Sequence, residues 1–127
     1  PKEESNDMAD IKQSLEEVMK IDGAIATALV DWESGLTLGT LKAGAFDIEL
    51  AASGNTQVVR AKMNVMKQLG IKGPIEDILI SLDTQYHLIR PLSKAAGLFL
   101  YVAIDKERSN LGLARHRLRG IEESLAI

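Results

Sequence analysis

The segment Phe46–Leu69, FDIELAASGNTQVVRAKMNVMKQL, carries more apolar surface than an ordinary surface helix can hide. At about 100° per residue of a helix, Leu50, Gly54, Val58, Ala61, Val65 and Leu69 fall into one stripe. Ile48, Ala52, Asn55, Val59, Met63 and Met66 form a second, roughly 140° around the same wheel. Glu49, Ser53, Thr56, Gln57, Arg60, Asn64 and Lys67 share the polar remainder. The helix's own domain satisfies one stripe, and the other needs a further surface. A helix wedged deep in a single core would supply it. So would a helix shared between its own sheet and a partner subunit, and that is the arrangement expected here.

A chain of 127 residues is long enough for one domain with a real core and too short for two. With 46% hydrophobic and 26% charged residues it has the profile of a globular rather than a disordered protein. A net charge of −3 argues against a dedicated nucleic-acid binder, which carries a basic excess. Because the chain has no cysteine, disulfides, thiolate metal sites and cysteine nucleophiles are excluded together. The longest unbroken apolar run, Leu98–Ile104, is a strand's length and far short of a membrane span. No secretion signal is visible at the N-terminus, and the expected location is the cytoplasm.

Residues 1–7 are polar and aperiodic, and read as a disordered or non-native lead-in before Met8. Met8, Ile11, Leu15 and Val18 then set the spacing of a short amphipathic helix, with Asp7 as its expected cap. Ala24–Asp31 reads as a strand covered on both faces, Ala24, Ala26 and Ala28 on one and Ile25, Thr27 and Leu29 on the other. The alanine side would let a helix approach closely. Gly35, free to take a positive φ, turns this strand into a second, Leu36–Leu41. Asp47 is placed to cap the long helix. Within it, Gly54 costs about 1 kcal/mol relative to alanine; close approach of another backbone, or a break at Ser53-Gly54-Asn55, would account for it. Gly70–Pro74 ends the helix. Three strands follow, Ile75–Leu82, Gln85–Leu92 and Leu98–Ile104, with Pro91 suited to a strand end. Ser109 or Asn110 caps a final helix whose stripe is Leu111, Ala114, Leu118, Ile121 and Leu125. Strands joined mostly by tight turns imply an α+β fold, an antiparallel sheet with helices on its faces.

This order and three local stretches resemble the roadblock / dynein light chain family. The stretches are Asp22-Gly23-Ala24-Ile25 running through Val30-Asp31 to Ser34-Gly35-Leu36, Asn110–Arg115 opening the last helix, and the apolar strand before it. The resemblance spans Met8 to the C-terminus. It implies a five-stranded antiparallel sheet with the central helix on one face and the terminal helices on the other. It also implies that two subunits pair through their central helices and an edge strand. The function implied is that of a scaffold or regulator of Ras-like small GTPases, or of an adaptor on dynein.

Little in the chain suggests catalysis. His87 falls in an expected strand and His116 on the exposed side of the last helix, and neither has metal-site spacing to a carboxylate. Gly70-Ile71-Lys72-Gly73 lacks the ending of a phosphate-binding loop and follows a helix rather than a strand. No serine lies in a nucleophile elbow. Arg115, Arg117 and Arg119 read as a solvated helix face pairing toward Glu122 and Glu123. The expectation is a non-enzyme without cofactor or metal, which pairs with itself and binds a Ras-like small GTPase. A small-molecule sensor or a purely structural dimerisation module are the alternatives. Ala52, Asn55, Val59, Met63 and Met66 are expected at the dimer interface, beside the edge residues Ile78, Leu79, Ile80 and Ser81. Glu49, Thr56, Arg60 and Lys67 are expected to face a further partner, Arg60 as a candidate arginine acting in trans. The converse, in which that stripe faces the sheet and Leu50, Val58 and Val65 turn outward, stays open.

Overall fold

The capping residues mark where each helix begins. In the structure, a computed structural model that describes residues 10–126, Asp10 accepts a 2.8 Å bond from the Gln13 amide while Gln13 Oε1 accepts one of 3.1 Å from the Asp10 amide. That reciprocal pair opens helix α1 (Ile11–Met19). The cap expected at Asp7, and the start expected at Met8, lie outside the described residues. Asp47 caps α2 (Ile48–Leu69) through the Leu50 amide at 3.1 Å. Gly70, at φ 72°, ends that helix in the left-handed region. Asn110 caps α3 (Leu111–Ser124) through the Leu113 amide at 2.9 Å.

Between the helices run β1 (Ala24–Asp31), β2 (Thr37–Lys42), β3 (Ile78–Ser81), β4 (Gln85–Pro91) and β5 (Leu98–Asp105). They form one antiparallel sheet, as expected for the α+β reading, and its strands lie in the order β2-β1-β5-β4-β3. The long β1 and β5 lie at its centre, and β2 and β3 are its edges. β3 is shorter than the expected Ile75–Leu82. Gly73 and Pro74 precede it, and the Asp77 carboxylate is drawn off the sheet toward α3 by Arg115.

Each face of the sheet has its own core. On one side Leu29, Leu88, Leu100, Val102 and Ile104 meet Leu15 and Val18 of α1 and Ala114 and Leu118 of α3. On the other, Ala26, Ala28, Val30, Ile89, Phe99, Tyr101 and Ala103 meet Ile48, Ala52 and Val59 of α2. Strict alternation along β1 does not hold. The ladder to β5 shifts between Ala24 and Ala26, so Ile25 and Ala26 both reach the α2 side while Ala24 lies on the other. Beyond the bulge the alanines do lie under α2 as anticipated, with Ala52 above them. α1 comes equally close to β2 at Gly39, where a β-carbon would stand 3.0 Å from both Ile11 Cγ2 and Leu15 Cδ1.

Candidate interaction surface

α2 is a single unbroken helix through Ser53-Gly54-Asn55, and its two apolar stripes have different fates. Ala52 and Val59 are fully buried against the sheet, and Asn55 is buried beside them. Met63 and Met66 are half-buried and line a hollow of about 300 Å³ with Lys67 and Gly70–Gly73. These five were expected to meet a second copy; the structure instead buries Ala52, Asn55 and Val59 within the chain's own fold and leaves Met63 and Met66 half-buried at its margin. The reason lies in the sheet: Ala26, Ala28 and Ala103 form a shallow surface that seats the Ala52 side of the helix closely. The other stripe faces solvent, with Leu50 at 69% exposure, Val65 at 42% and Leu69 at 65%. Ile71, just past the helix beside the Met63 and Met66 hollow, is also exposed, at 53%. Gly54 lies on this outer side with nothing within 4 Å of where a β-carbon would be, so no backbone among the described residues explains its presence.

β3 supplies an open edge at the opposite end of the sheet from β2. The Leu82 amide donates to Gln85 O at 2.8 Å, closing the β3–β4 turn. Antiparallel alternation from that pair directs the amides of Ile80 and Ile78 toward β4, and the backbone groups of Leu79 and Ser81 toward the free edge. Ile78 packs with the α2-side core and Leu79 with the other, whereas Ser81 is exposed.

The four polar residues expected to face a partner divide evenly. Glu49 and Lys67 are exposed. Thr56 is buried, its hydroxyl donating to Ala52 O at 2.9 Å. Arg60 is already engaged within the chain: its Nε donates to Trp32 O at 2.7 Å and its Nη2 to Glu33 O at 3.0 Å. Those bonds fasten the β1–β2 turn to α2, and a guanidinium so held is poorly placed to act on another protein's phosphates. His87 is likewise inlaid, its Nε2 2.8 Å from Gln85 Oε1 and its Nδ1 3.2 Å from the Tyr101 hydroxyl. Burial lowers the pKa of His87. Burial also pushes the Tyr101 phenol up to about 12, against a smaller opposing effect of its bond to Asn55. Among the described residues no group of histidine and carboxylate side chains could hold a metal ion.

A charged cluster on the α3 side escaped the sequence reading. Arg115 does not pair along its helix; its Nε and Nη2 reach Asp77 at 2.9 and 3.2 Å, 38 residues away in sequence. Arg90, buried near the end of β4, donates to Glu122 Oε1 from Nε and Nη2 at 3.3 and 3.1 Å. Its Nη1 stands 3.6 Å from Asp77. The remaining oxygen of Glu122 accepts from both the amide and the hydroxyl of Ser93, at 3.0 and 3.1 Å. The cluster floors a groove of about 520 Å³ walled by Pro74, Ile75 and Pro91. The one local signal was a lone arginine in the otherwise apolar run Leu88–Leu92.

No protein-family description and no curated protein matches this chain in sequence. Solved structures do. A roadblock/LC7 domain from Streptomyces avermitilis aligns over 91% of this chain and 94% of its own, with a TM-score of 0.77 at 12% identity. The chain has the roadblock fold. MglB of Myxococcus xanthus has the same architecture, with a TM-score of 0.75 over 90% of this chain and 92% of that one at 18% identity. The gliding protein MglB of Thermus thermophilus aligns at 0.66 over 88% and 87%, also at 18% identity. At these identities the likeness is one of fold, and it agrees with the five-stranded sheet and helix order of the roadblock reading.

Proposed function

We propose that this roadblock-fold chain is a non-catalytic regulator that works by association. It pairs with a second copy of itself through the outer stripe of α2 and the β3 edge, and the pair presents its surface to a Ras-like small GTPase. The observation that carries the first step is the exposure of Leu50, Val65 and Leu69 along one side of a helix whose other apolar stripe packs Ile48, Ala52 and Val59 on its own sheet. Leaving that stripe and an unpaired edge in water invites association. An isologous contact covers both with one two-fold axis. The GTPase partner rests on the resemblance and on the likeness to MglB in fold. A metabolite-sensor role finds less support, because the arginines and carboxylates flooring the charged groove are already spent on one another.

Multi-angle light scattering across a dilution series tests the pairing, with a mass twice that of the chain expected at high concentration. Capture from the native cell, repeated with GDP and with a non-hydrolysable GTP analogue, tests the partner. A nucleotide-dependent small GTPase supports the reading, and a co-purifying metabolite without any GTPase overturns it. Purified protein is expected to hydrolyse no nucleotide by itself, because Arg60, His87, Arg90 and Arg115 are held in structural bonds.

A further inference from the structure

We infer that the Asp77–Arg115–Arg90–Glu122 cluster is a latch by which α3 fixes the position of the free β3 edge, so that α3 governs whether that edge can be used. The inference rests on the edge-pairing reading above for its consequence, though not for its mechanism. β3 has only four residues and a single strand neighbour, so pairing with β4 holds it weakly. The chain entering it from α2, residues 71–77, has no regular structure. Asp77, immediately before Ile78, is therefore the point at which the strand is tied down. Arg115 grips its carboxylate by two bonds from α3, and Arg90 approaches the same oxygens from β4. Glu122 closes the circuit by holding Arg90 and the Ser93 loop together.

The side chains at the heart of the circuit are largely withdrawn from water. Those of Arg90 and Glu122 are 10% and 9% exposed and that of Asp77 is 16%, whereas Arg115, at 35%, is the accessible member. Charge pairs so placed add little net stability, but removing one partner strands the others. That asymmetry makes the cluster a device for holding one geometry rather than a general source of stability. The groove above it gives a solute or protein direct access to Arg115. Whatever moves Arg115 releases Asp77, and with it the edge.

The test compares wild type with Asp77→Asn, Arg115→Gln and, as a charge-matched control on the exposed part of the same helix, Arg117→Gln. Amide hydrogen exchange is read at a dilution where no self-association is detectable, and light scattering at high concentration. In the two latch variants the Ile78 and Ile80 amides are expected to exchange faster by at least about tenfold more than any acceleration of the β1 and β5 amides, while the control stays unchanged. The midpoint of self-association should move to concentrations higher by about tenfold or more. Unchanged exchange at β3, or an equal acceleration of β3, β1 and β5, overturns the latch. Faster exchange at β3 with unaltered self-association overturns its link to pairing. A wild type that stays monomeric at every concentration removes the pairing reading while the exchange data still decide the latch. Arg115→Gln, at the accessible end, keeps the test open should Asp77→Asn fail to fold.

Discussion

Gly35 occupies the β1–β2 turn at φ 86°, a conformation that a branched side chain resists. Its β-carbon position is 4.0 Å from Arg60 Nη2, so the turn and the clamp that holds it are one structure. Gly35→Val should therefore lower stability by about 1–3 kcal/mol, read as a shift of the urea midpoint without change of slope. His87 offers a second residue-scale test. Its pKa in the folded protein lies below the ordinary 6.5, because burial disfavours the imidazolium. The unfolded chain then binds the proton more readily than the folded one. Stability from this residue is full above pH 6.5 and falls as pH drops from there toward the folded pKa. Urea titrations on either side of that window should show the acid-side loss in wild type and a flatter profile in His87→Phe. Tyr101 acts at the other extreme. Its phenol, raised from 10.0 to about 12, withdraws stability only as the solution becomes strongly alkaline.

At the scale of the element, α2 decides how the molecule is partitioned between itself and its surroundings. Val59 is fully buried above the alanine surface, so Val59→Asp places an unpaired carboxylate in a core and should abolish folding rather than pairing. Leu50→Glu and Val65→Glu add charge where side chains already meet water, and should leave the melting temperature of the monomer nearly unchanged while weakening self-association. Circular dichroism and light scattering on the same samples separate the two outcomes. Both stripes of this helix were legible in the sequence, as were the turn at Gly35, the cap at Asp47, a cap at Ser109 or Asn110, and the order of helices and strands along the chain. Which stripe faced inward was not, because periodicity is symmetric between the two. The choice is made by the depth of the sheet surface, which depends on residues from β1 and β5 brought together only in the fold. The same limit hid the charged cluster. Arg115 and Glu122 look like an ordinary solvated helix face until β4 and the chain before β3 bring Arg90 and Asp77 beneath them.

For the whole molecule, the outer stripe of α2 carries a symmetry of its own that makes the proposed pairing specific. Read along the helix, Leu50, Gly54, Val58, Ala61 and Val65 run large, small, large, small, large, with the central Val58 half-buried against the chain's own core. A two-fold axis crossing the helix between Gln57 and Val58 would set Leu50 against Val65 of the partner subunit and Gly54 against Ala61 of the partner subunit. Gln57 and Val58 then fall at the crossing, Gly54 and Ala61 about one turn to either side let the two antiparallel helices approach, and Leu50 and Val65 fill the space beyond them. This arrangement would account for a glycine whose β-carbon position has nothing near it among the described residues. It also makes a prediction that distinguishes register from mere stickiness. Leu50→Glu alone and Val65→Lys alone should each weaken self-association, since a charge is then buried against an apolar side chain. Combined in one chain, the two substitutions place a glutamate opposite a lysine twice over in the antiparallel pair, and self-association should partly return. Opposite charges across a contact of this kind recover on the order of 1 kcal/mol per pair, which light scattering reads as a midpoint between those of the wild type and the single variants. A double variant weaker than either single one would rule out this register, whether or not the protein pairs by another.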